Sequence, residues 1–216
     1  MITKTYINDD MDALTSFIAA SGLFDAVTNE NSTIICKDAD GNTLLSIAVP
    51  TAANGNVVVT AFASASVSKA VTWSYYKSGS IGVHFTYAYA CTNGVIIALQ
   101  NAMGNDYYAA VLISKNNQGI PVIVLCDAIA PTANAYRTFW AVSWGDVAPL
   151  STFNFTVNSR SQTTVVPFMS NNDISASSYT PNAGYIPVGQ YYNMGYGTLV
   201  IDGTDYLANG YWAIRD

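Results

Sequence analysis

The pattern of apolar and polar residues is most regular between Ile81 and Asp127, where it predicts a four-stranded antiparallel meander. Large side chains occupy every second position from Ile81 to Cys91, with small or polar residues between them, as on a strand with two unlike faces. Tyr107–Ser114 and Ile120–Cys126 are apolar at nearly every position. We therefore expect these two strands to be central, with both faces covered.

The turn after the first strand of this meander predicts its register. Asn93-Gly94 suits a two-residue hairpin because both positions of such a turn need positive φ, which Asn and Gly tolerate. In that register Ala90 opposes Ile97 and Ala88 opposes Leu99. Small residues on one strand would then face large ones on the next.

A second hairpin is predicted nearer the N-terminus, with strands at Ser32–Lys37 and Thr43–Val49. Pairing of Cys36 with Leu45 would give it a consistent buried face. The loop Asp38–Asn42 offers oxygen side chains to calcium, but it lacks the later bidentate carboxylate of an EF-hand loop. Turn formation explains these residues better than a metal site does.

One helix is predicted within the N-terminal segment, residues 1–25. Its core-facing side carries four apolar residues, and Gly22 follows as a stop signal: Met11, Leu14, Phe17 and Ile18. Three aspartates stand at its start, Asp9, Asp10 and Asp12. Carboxylates at this end complement the helix dipole, so we explain them by helix structure rather than by a metal site.

Several other segments alternate with the period of a strand. They are Val57–Ala63, Lys69–Tyr76, Tyr136–Trp144, Phe153–Val157 and Thr163–Phe168. The composition shifts after Asp127, and we expect the last three segments to form a second sheet. Leu199–Leu207, with a turn at Asp202-Gly203, predicts a further hairpin, and Tyr211–Ile214 predicts a closing strand.

Residues 170–197 are rich in Asn, Ser, Pro and Gly and show no periodicity, which predicts a long loop. Long loops in compact domains are often functional. Aromatic residues, whose rings have an apolar face and a polar tip, are concentrated here and near the C-terminus. The candidate binding residues are Tyr179, Tyr185, Tyr191, Tyr192, Tyr196 and Trp212. For Trp212 the alternative of a core position stays open.

The composition bears on partners. Charged residues make up 10% of the 216 residues, well below the usual quarter or so, and the net charge is −6. A surface so poor in charge is dehydrated at little cost, which favours self-association or packing against other subunits. Lys and Arg number only eight and form no cluster, which argues against a nucleic-acid partner.

The cysteines and the N-terminal residues indicate where the chain is made. Cys36, Cys91 and Cys126 are odd in number and lie in strand patterns, so we expect buried thiols rather than a disulfide framework. The start of the chain lacks the features of a signal peptide, and no apolar run approaches the ~20 residues of a membrane span. We expect synthesis in the cytoplasm and no membrane partner.

The sequence carries no recognisable catalytic motif. His84 lies on the small-residue face of its predicted strand, and no Gly-x-Ser-x-Gly elbow occurs, so we expect a structural histidine. Zinc spacings such as Cys-x-x-Cys are missing. A glycosidase would have to use carboxylates such as Asp127 and Asp146. We predict no enzymatic activity, no cofactor and no metal.

The segments Gly197–Tyr206 and Tyr211–Asp216 resemble the ends of small virion or tail-associated proteins from phages and prophages of Gram-positive gut bacteria. This resemblance implies a structural role in a virion, with other virion proteins as partners and no catalytic residues. The low charge and the abundance of Asn, Thr, Ser and Tyr agree with it.

Together these patterns predict one mainly β domain over residues 1–216 (α+β by element count), an antiparallel β-sandwich-like fold with one N-terminal helix. The predicted function is that of a non-enzymatic assembly subunit, most plausibly virion-associated. The alternative is a carbohydrate-binding module or surface adhesin, which would bind a cell-surface glycan through the C-terminal aromatic residues.

Overall fold

A computed structural model describes residues 1–51, 54–76, 83–101, 107–115, 119–129, 137–142, 153–157, 185–187, 197–201, 203–208 and 212–216. These residues form antiparallel sheets and a single helix, which is the predicted fold class. The elements are β1 (Thr3–Tyr6), α1 (Met11–Ala20), β2 (Ala26–Glu30), β3 (Thr33–Lys37), β4 (Thr43–Ala48), β5 (Asn54–Ser64), β6 (Val67–Tyr76), β7 (Val83–Cys91), β8 (Gly94–Asn101), β9 (Tyr107–Lys115), β10 (Pro121–Ile129), β11 (Arg137–Val142), β12 (Phe153–Val157), β13 (Tyr185–Pro187), β14 (Gly197–Ile201), β15 (Thr204–Ala208) and β16 (Trp212–Arg215).

Twelve strands form the larger sheet. Its order is β12-β11-β10-β9-β8-β7-β6-β5-β4-β3-β2, and β1 pairs with β7 beside this path. Among the described residues, β6 pairs with β7 at Tyr76 and Val83 alone. Further along the same edge, β7 pairs with β1. The halves β2–β6 and β7–β12 face each other, because β5 contacts β10 and β6 contacts β11. The sheets are open and the arrangement is β-sandwich-like.

The main core lies between these two halves. Residues at alternate positions of β3, β4 and β5 are buried against residues from β7, β8 and β9. Leu14 and Ile18 of α1 belong to the same buried cluster, so the helix contributes one apolar side to the core as predicted. Burial of these side chains, at about 25 cal/mol per Å² of apolar surface, is the main stabilising term.

The three N-terminal aspartates each have a structural role. Asp10 is the N-cap of α1, and its carboxylate accepts hydrogen bonds from the amides of Asp12 and Ala13 at 3.0 and 2.9 Å. The carboxylate of Asp9 accepts the Phe85 amide at 2.8 Å, and that of Asp12 accepts the Asn29 side-chain amide at 2.9 Å. These contacts hold the helix against β7 and β2.

A four-stranded C-terminal sheet, in the order β13-β16-β15-β14, contacts the outer face of the meander. β15 contacts β7 and β8. A Cβ atom placed at Gly94 would lie 3.3 Å from Ile214 and 3.0 Å from the Ile113 carbonyl oxygen, so a larger residue here would require these neighbours to shift by a few tenths of an ångström. Leu207 and Ile214 of this sheet are buried, and so are five residues of β8, β9 and β10 that do not belong to the main core: Ile96, Ala98, Ala110, Leu112 and Val122.

The central strand β9 is apolar on both faces and is buried on both. Val111 and Ile113 of β9 belong to the main core, whereas Ala110 and Leu112 lie on the opposite face and are equally buried. β8 and β10 lie on either side of β9. The prediction that this strand is central and covered on both faces is confirmed.

One predicted register is confirmed and the other is wrong. Cys36 opposes Leu45, as expected. The β7–β8 turn, however, consists of Thr92 and Asn93, so that Ala90 opposes Val95 and Ala88 opposes Ile97. Tertiary contacts hold this turn: the Thr92 amide donates to the Asp216 carboxylate, and the Ser114 hydroxyl donates to the Asn93 carbonyl.

Strand assignments after β10 also differ from expectation. β11 and β12 extend the larger sheet instead of forming a second one, because β11 pairs with the free edge of β10. β13 lies inside the predicted loop 170–197 and pairs with β16. β1 and β2 are additional short strands that the periodicity did not indicate. The segment Thr163–Phe168 lies outside the described residues.

Candidate functional site

Two of the predicted aromatic binding residues lie in described strands. Tyr185 begins β13 and Trp212 begins β16, and these strands are neighbours, with Pro187 opposite Trp212. The register therefore brings the two segments to one edge of the C-terminal sheet. The other four predicted binding residues lie outside the described part of the chain: Tyr179, Tyr191, Tyr192 and Tyr196.

A different set of aromatic residues comes together at β1 and β7. Tyr6 opposes Tyr87, and Lys4 opposes Tyr89, so all four side chains share one face of the sheet. We call Tyr6, Tyr87 and Tyr89 the tyrosine row. The sequence analysis missed this site because β1 is only four residues long and its partner lies some 80 positions away.

A β-bulge decides which face the tyrosine row occupies. Phe85 opposes Leu99 while Tyr87 opposes Ala98, which leaves Thr86 as the extra residue. Phe85 is therefore buried in the main core, and Tyr87 points to the opposite face. The expectation that all the large residues from Ile81 to Cys91 share one face is wrong for this reason.

The rings of the tyrosine row are close to one another and to a cation. The ring centroids of Tyr6 and Tyr87 are 5.3 Å apart at an interplanar angle of 56°, and those of Tyr87 and Tyr89 are 6.5 Å apart. The Lys4 ammonium lies 4.1 Å from the Tyr87 centroid and 5.3 Å from that of Tyr89. The Tyr6 hydroxyl donates to the Asn8 side chain.

The tyrosine row runs from solvent to the interior. Tyr6 is 58% exposed, whereas Tyr89 is 8% exposed. A side chain at Gly197 would lie 3.7 Å from the Tyr89 ring, which places the start of β14 over that end of the row. The exposed end offers an aromatic surface, an ammonium group and an amide to a ligand: Lys4, Tyr6, Asn8 and Tyr87.

The structure also locates the residues considered for catalysis and metal binding. His84 lies in β7 opposite Gln100, and Asp127 lies in β10 opposite Thr138; their side chains and Asp146 are outside the description. Both oxygens of Asp38 accept hydrogen bonds from Asn42, which agrees with turn formation. Within the described ranges, no group of three His, Cys, Asp or Glu residues is placed to bind a metal.

Two cysteines are buried thiols, as predicted. Cys36 and Cys91 are free and buried, and the side chain of Cys126 is not described. Burial raises the pKa of Cys36 to about 12 and also raises that of Cys91. Neither thiol is activated for nucleophilic chemistry, because the thiolate is the reactive form.

Within the described residues, β14 lies at one edge of the C-terminal sheet, and no described strand pairs with its outer side. Its five residues include no charge and no proline, and Val200 is 60% exposed. The edge strand β2 of the larger sheet differs, since it carries Glu30 and contacts α1. Charges and covering elements are the usual protection of sheet edges.

Comparisons with known proteins found no match: no family model, no curated protein and no solved structure is similar to this chain. Among the described residues, no helix is both long and apolar enough to cross a membrane.

Proposed function

We propose that this chain is a non-enzymatic subunit of a multimeric assembly and that the assembly is a phage or prophage particle, in which the chain is a tail-associated component. The observation that carries the proposal is that β14 is an uncharged edge strand within the described part of the C-terminal sheet. In an edge strand, alternate residues direct N–H and C=O groups outward, where a strand from another copy can pair with them. The placement in a phage particle is supported by the C-terminal resemblance.

The composition supports the same proposal. A monomer with an open, uncharged edge risks uncontrolled aggregation, so natural proteins keep such edges short or charged. In a stable assembly the edge is covered, and no charge is needed to guard it. The low fraction of charged residues, 10%, extends this argument to the rest of the surface.

Substitution of Val200 by Lys tests the role of this edge. We expect the wild-type protein to be multimeric by size-exclusion chromatography with light scattering, and Val200→Lys to shift it toward monomer. Val67→Lys is the matched control, because Val67 is also exposed, at 46%, but lies at a hairpin turn. A wild-type monomer at high concentration, or equal effects of both substitutions, would contradict the proposed interface.

The particle itself is tested separately. Genes for capsid, portal or tape-measure proteins beside the coding gene, and detection of the chain in purified particles, are the results expected. Neighbouring polysaccharide-utilisation genes would instead favour the second candidate function.

That second candidate is carbohydrate binding, and the tyrosine row favours it. The exposed Tyr6 ring provides an apolar face for the C–H surface of a sugar, and the Tyr6 hydroxyl and the Asn8 amide provide hydrogen bonds. On a glycan array, binding that falls roughly five- to tenfold in Tyr6→Ala would support this function. Thr3→Ala, on the opposite face of β1, is the control. A blank array with the wild-type protein would exclude it for the glycans tested.

A further inference from the structure

A pocket of ≈ 560 Å³ opens at one end of the first half of the larger sheet. It lies between the β3–β4 loop and the end of β5 with the turn that follows. Its described lining residues are Asp38, Asn42, Thr43, Leu44, Phe62, Ala63, Ser64 and Ala65. A volume of this size is in the range of small-molecule sites, about 300–1,000 Å³.

The pocket exists because β4 and β5 separate there. Their register pairs run from Ala48 with Val58 to Leu45 with Ala61 and then stop. Two β-bulges border the gap, one between Cys36 and Lys37 and the other between Phe62 and Ser64. Bulges bend strands and redirect side chains, and they are common beside binding sites.

The lining combines a carboxylate with an apolar floor. Leu44 and Ala63 pack against the main core, and the Phe62 ring is part of the wall. The Asp38 carboxylate accepts the Asn42 amide at 2.8 Å and the Asn42 side chain at 3.0 Å, which fixes its position. Gly41, with φ of +82°, allows the loop to close around these contacts.

The described lining of the pocket carries a negative charge at Asp38. Hydrogen bonding from the Asn42 side chain is the main cause of a lowered pKa for Asp38, so its carboxylate is ionised at neutral pH. The residues described as lining the pocket include no Lys or Arg. Lys37 precedes the loop and is not part of the lining.

We propose that this pocket binds a small organic cation with a short apolar chain, of the alkylammonium class. The ammonium group pairs with the Asp38 carboxylate and contacts the Phe62 ring, and the alkyl chain lies on Leu44 and Ala63. Carboxylate pairing and cation–π contact both select the cation over a neutral or anionic molecule of the same shape.

Titration with n-butylammonium chloride, followed in ¹H–¹⁵N NMR spectra, tests this site. We expect shifts confined to the pocket residues and a dissociation constant on the order of millimolar, as suits so small a ligand. n-Butanol and butyrate should bind several-fold more weakly. Equal binding of n-butanol, or shifts located elsewhere, would overturn the proposal.

Variants make the test specific. Asp38→Asn and Phe62→Leu should each weaken n-butylammonium binding roughly three- to fivefold. Asp40→Asn is the matched control, because Asp40 belongs to the same loop but does not line the pocket. Ala65→Trp, at an exposed turn, should fill the pocket and abolish binding while the fold persists. Unchanged binding in Asp38→Asn or Ala65→Trp, or an equal loss in Asp40→Asn, would refute the site.

Discussion

Ile96 and Ile97 provide a direct test of the two-sided burial of the meander. They are adjacent in β8 and point to opposite faces of it. Ile97 is 1% exposed and belongs to the main core, whereas Ile96 is fully buried on the face that the C-terminal sheet contacts. If both faces are covered in solution, replacing either residue by alanine should destabilise the protein to a similar extent.

The expected size follows from the atoms removed. Ile→Ala deletes three carbon atoms, which at about 0.8 kcal/mol for each buried methylene amounts to about 2.4 kcal/mol. The cavity left behind adds about 24 cal/mol per Å³ that does not collapse, so each variant should lose about 2–5 kcal/mol. With a urea m-value of about 1–3 kcal/mol/M, the unfolding midpoint falls by about 1 M or more.

Urea unfolding followed by circular dichroism measures this loss. Val67→Ala, at a half-exposed position, is the control and should change the free energy of unfolding by less than about 0.5 kcal/mol. A cost for Ile96→Ala as small as that of the control, beside a large cost for Ile97→Ala, would show that the C-terminal sheet does not cover the meander. The fold described above would then be wrong in its outer layer.

Three further predictions concern single contacts. Asp10→Ala removes the N-cap of α1 and should cost about 1 kcal/mol in thermal or urea unfolding, whereas Asp10→Asn, which keeps an acceptor, should retain most of the stability; equal losses would show that charge rather than capping matters. Asn42→Ala should raise the pKa of Asp38 toward its ordinary value in an NMR titration, because the Asn42 side chain donates the hydrogen bond that mainly lowers it. The stability that this carboxylate contributes is present at neutral pH and is lost as the pH falls through its lowered pKa. Cys36 should resist thiol reagents in the native protein and react after unfolding, and rapid labelling of the native protein would contradict its burial. Because the pKa of Cys36 is raised from 9.0 to about 12 in the folded protein, its contribution to the free energy of unfolding should be complete below pH 9 and should be lost as the pH rises from 9 toward 12.

The helix α1 and the β3–β4 hairpin were predicted correctly from the sequence, because their patterns of apolar and polar residues lie within short segments. Asp10 and the apolar side of α1 lie at a helical spacing, and the structure has the helix at that place. The pairing of Cys36 with Leu45 followed from the period-two pattern on both sides of a polar loop. In these cases each residue's preference depends on neighbours within a few positions of the chain.

The tyrosine row could not be predicted in this way. Thr86 forms a bulge that moves Tyr87 to the face opposite Phe85, and nothing in the local alternation marks the extra residue. The pocket beside Asp38 also depends on where β4 and β5 separate. The tyrosine row arises from the pairing of β1 with the distant strand β7, and the pocket arises where the pairing of the consecutive strands β4 and β5 ends.

Periodicity and capping act over short distances, and they were enough to predict the mainly β class, one N-terminal helix and the apolar character of the central strands. Contacts between distant parts of the chain set three other features: β11 and β12 extend the larger sheet, the C-terminal strands contact its outer face, and the β7–β8 turn is Thr92-Asn93. An apolar strand can pair with any compatible edge, and the choice among edges is made by contacts such as the Thr92–Asp216 hydrogen bond, which join the ends of the chain to its middle.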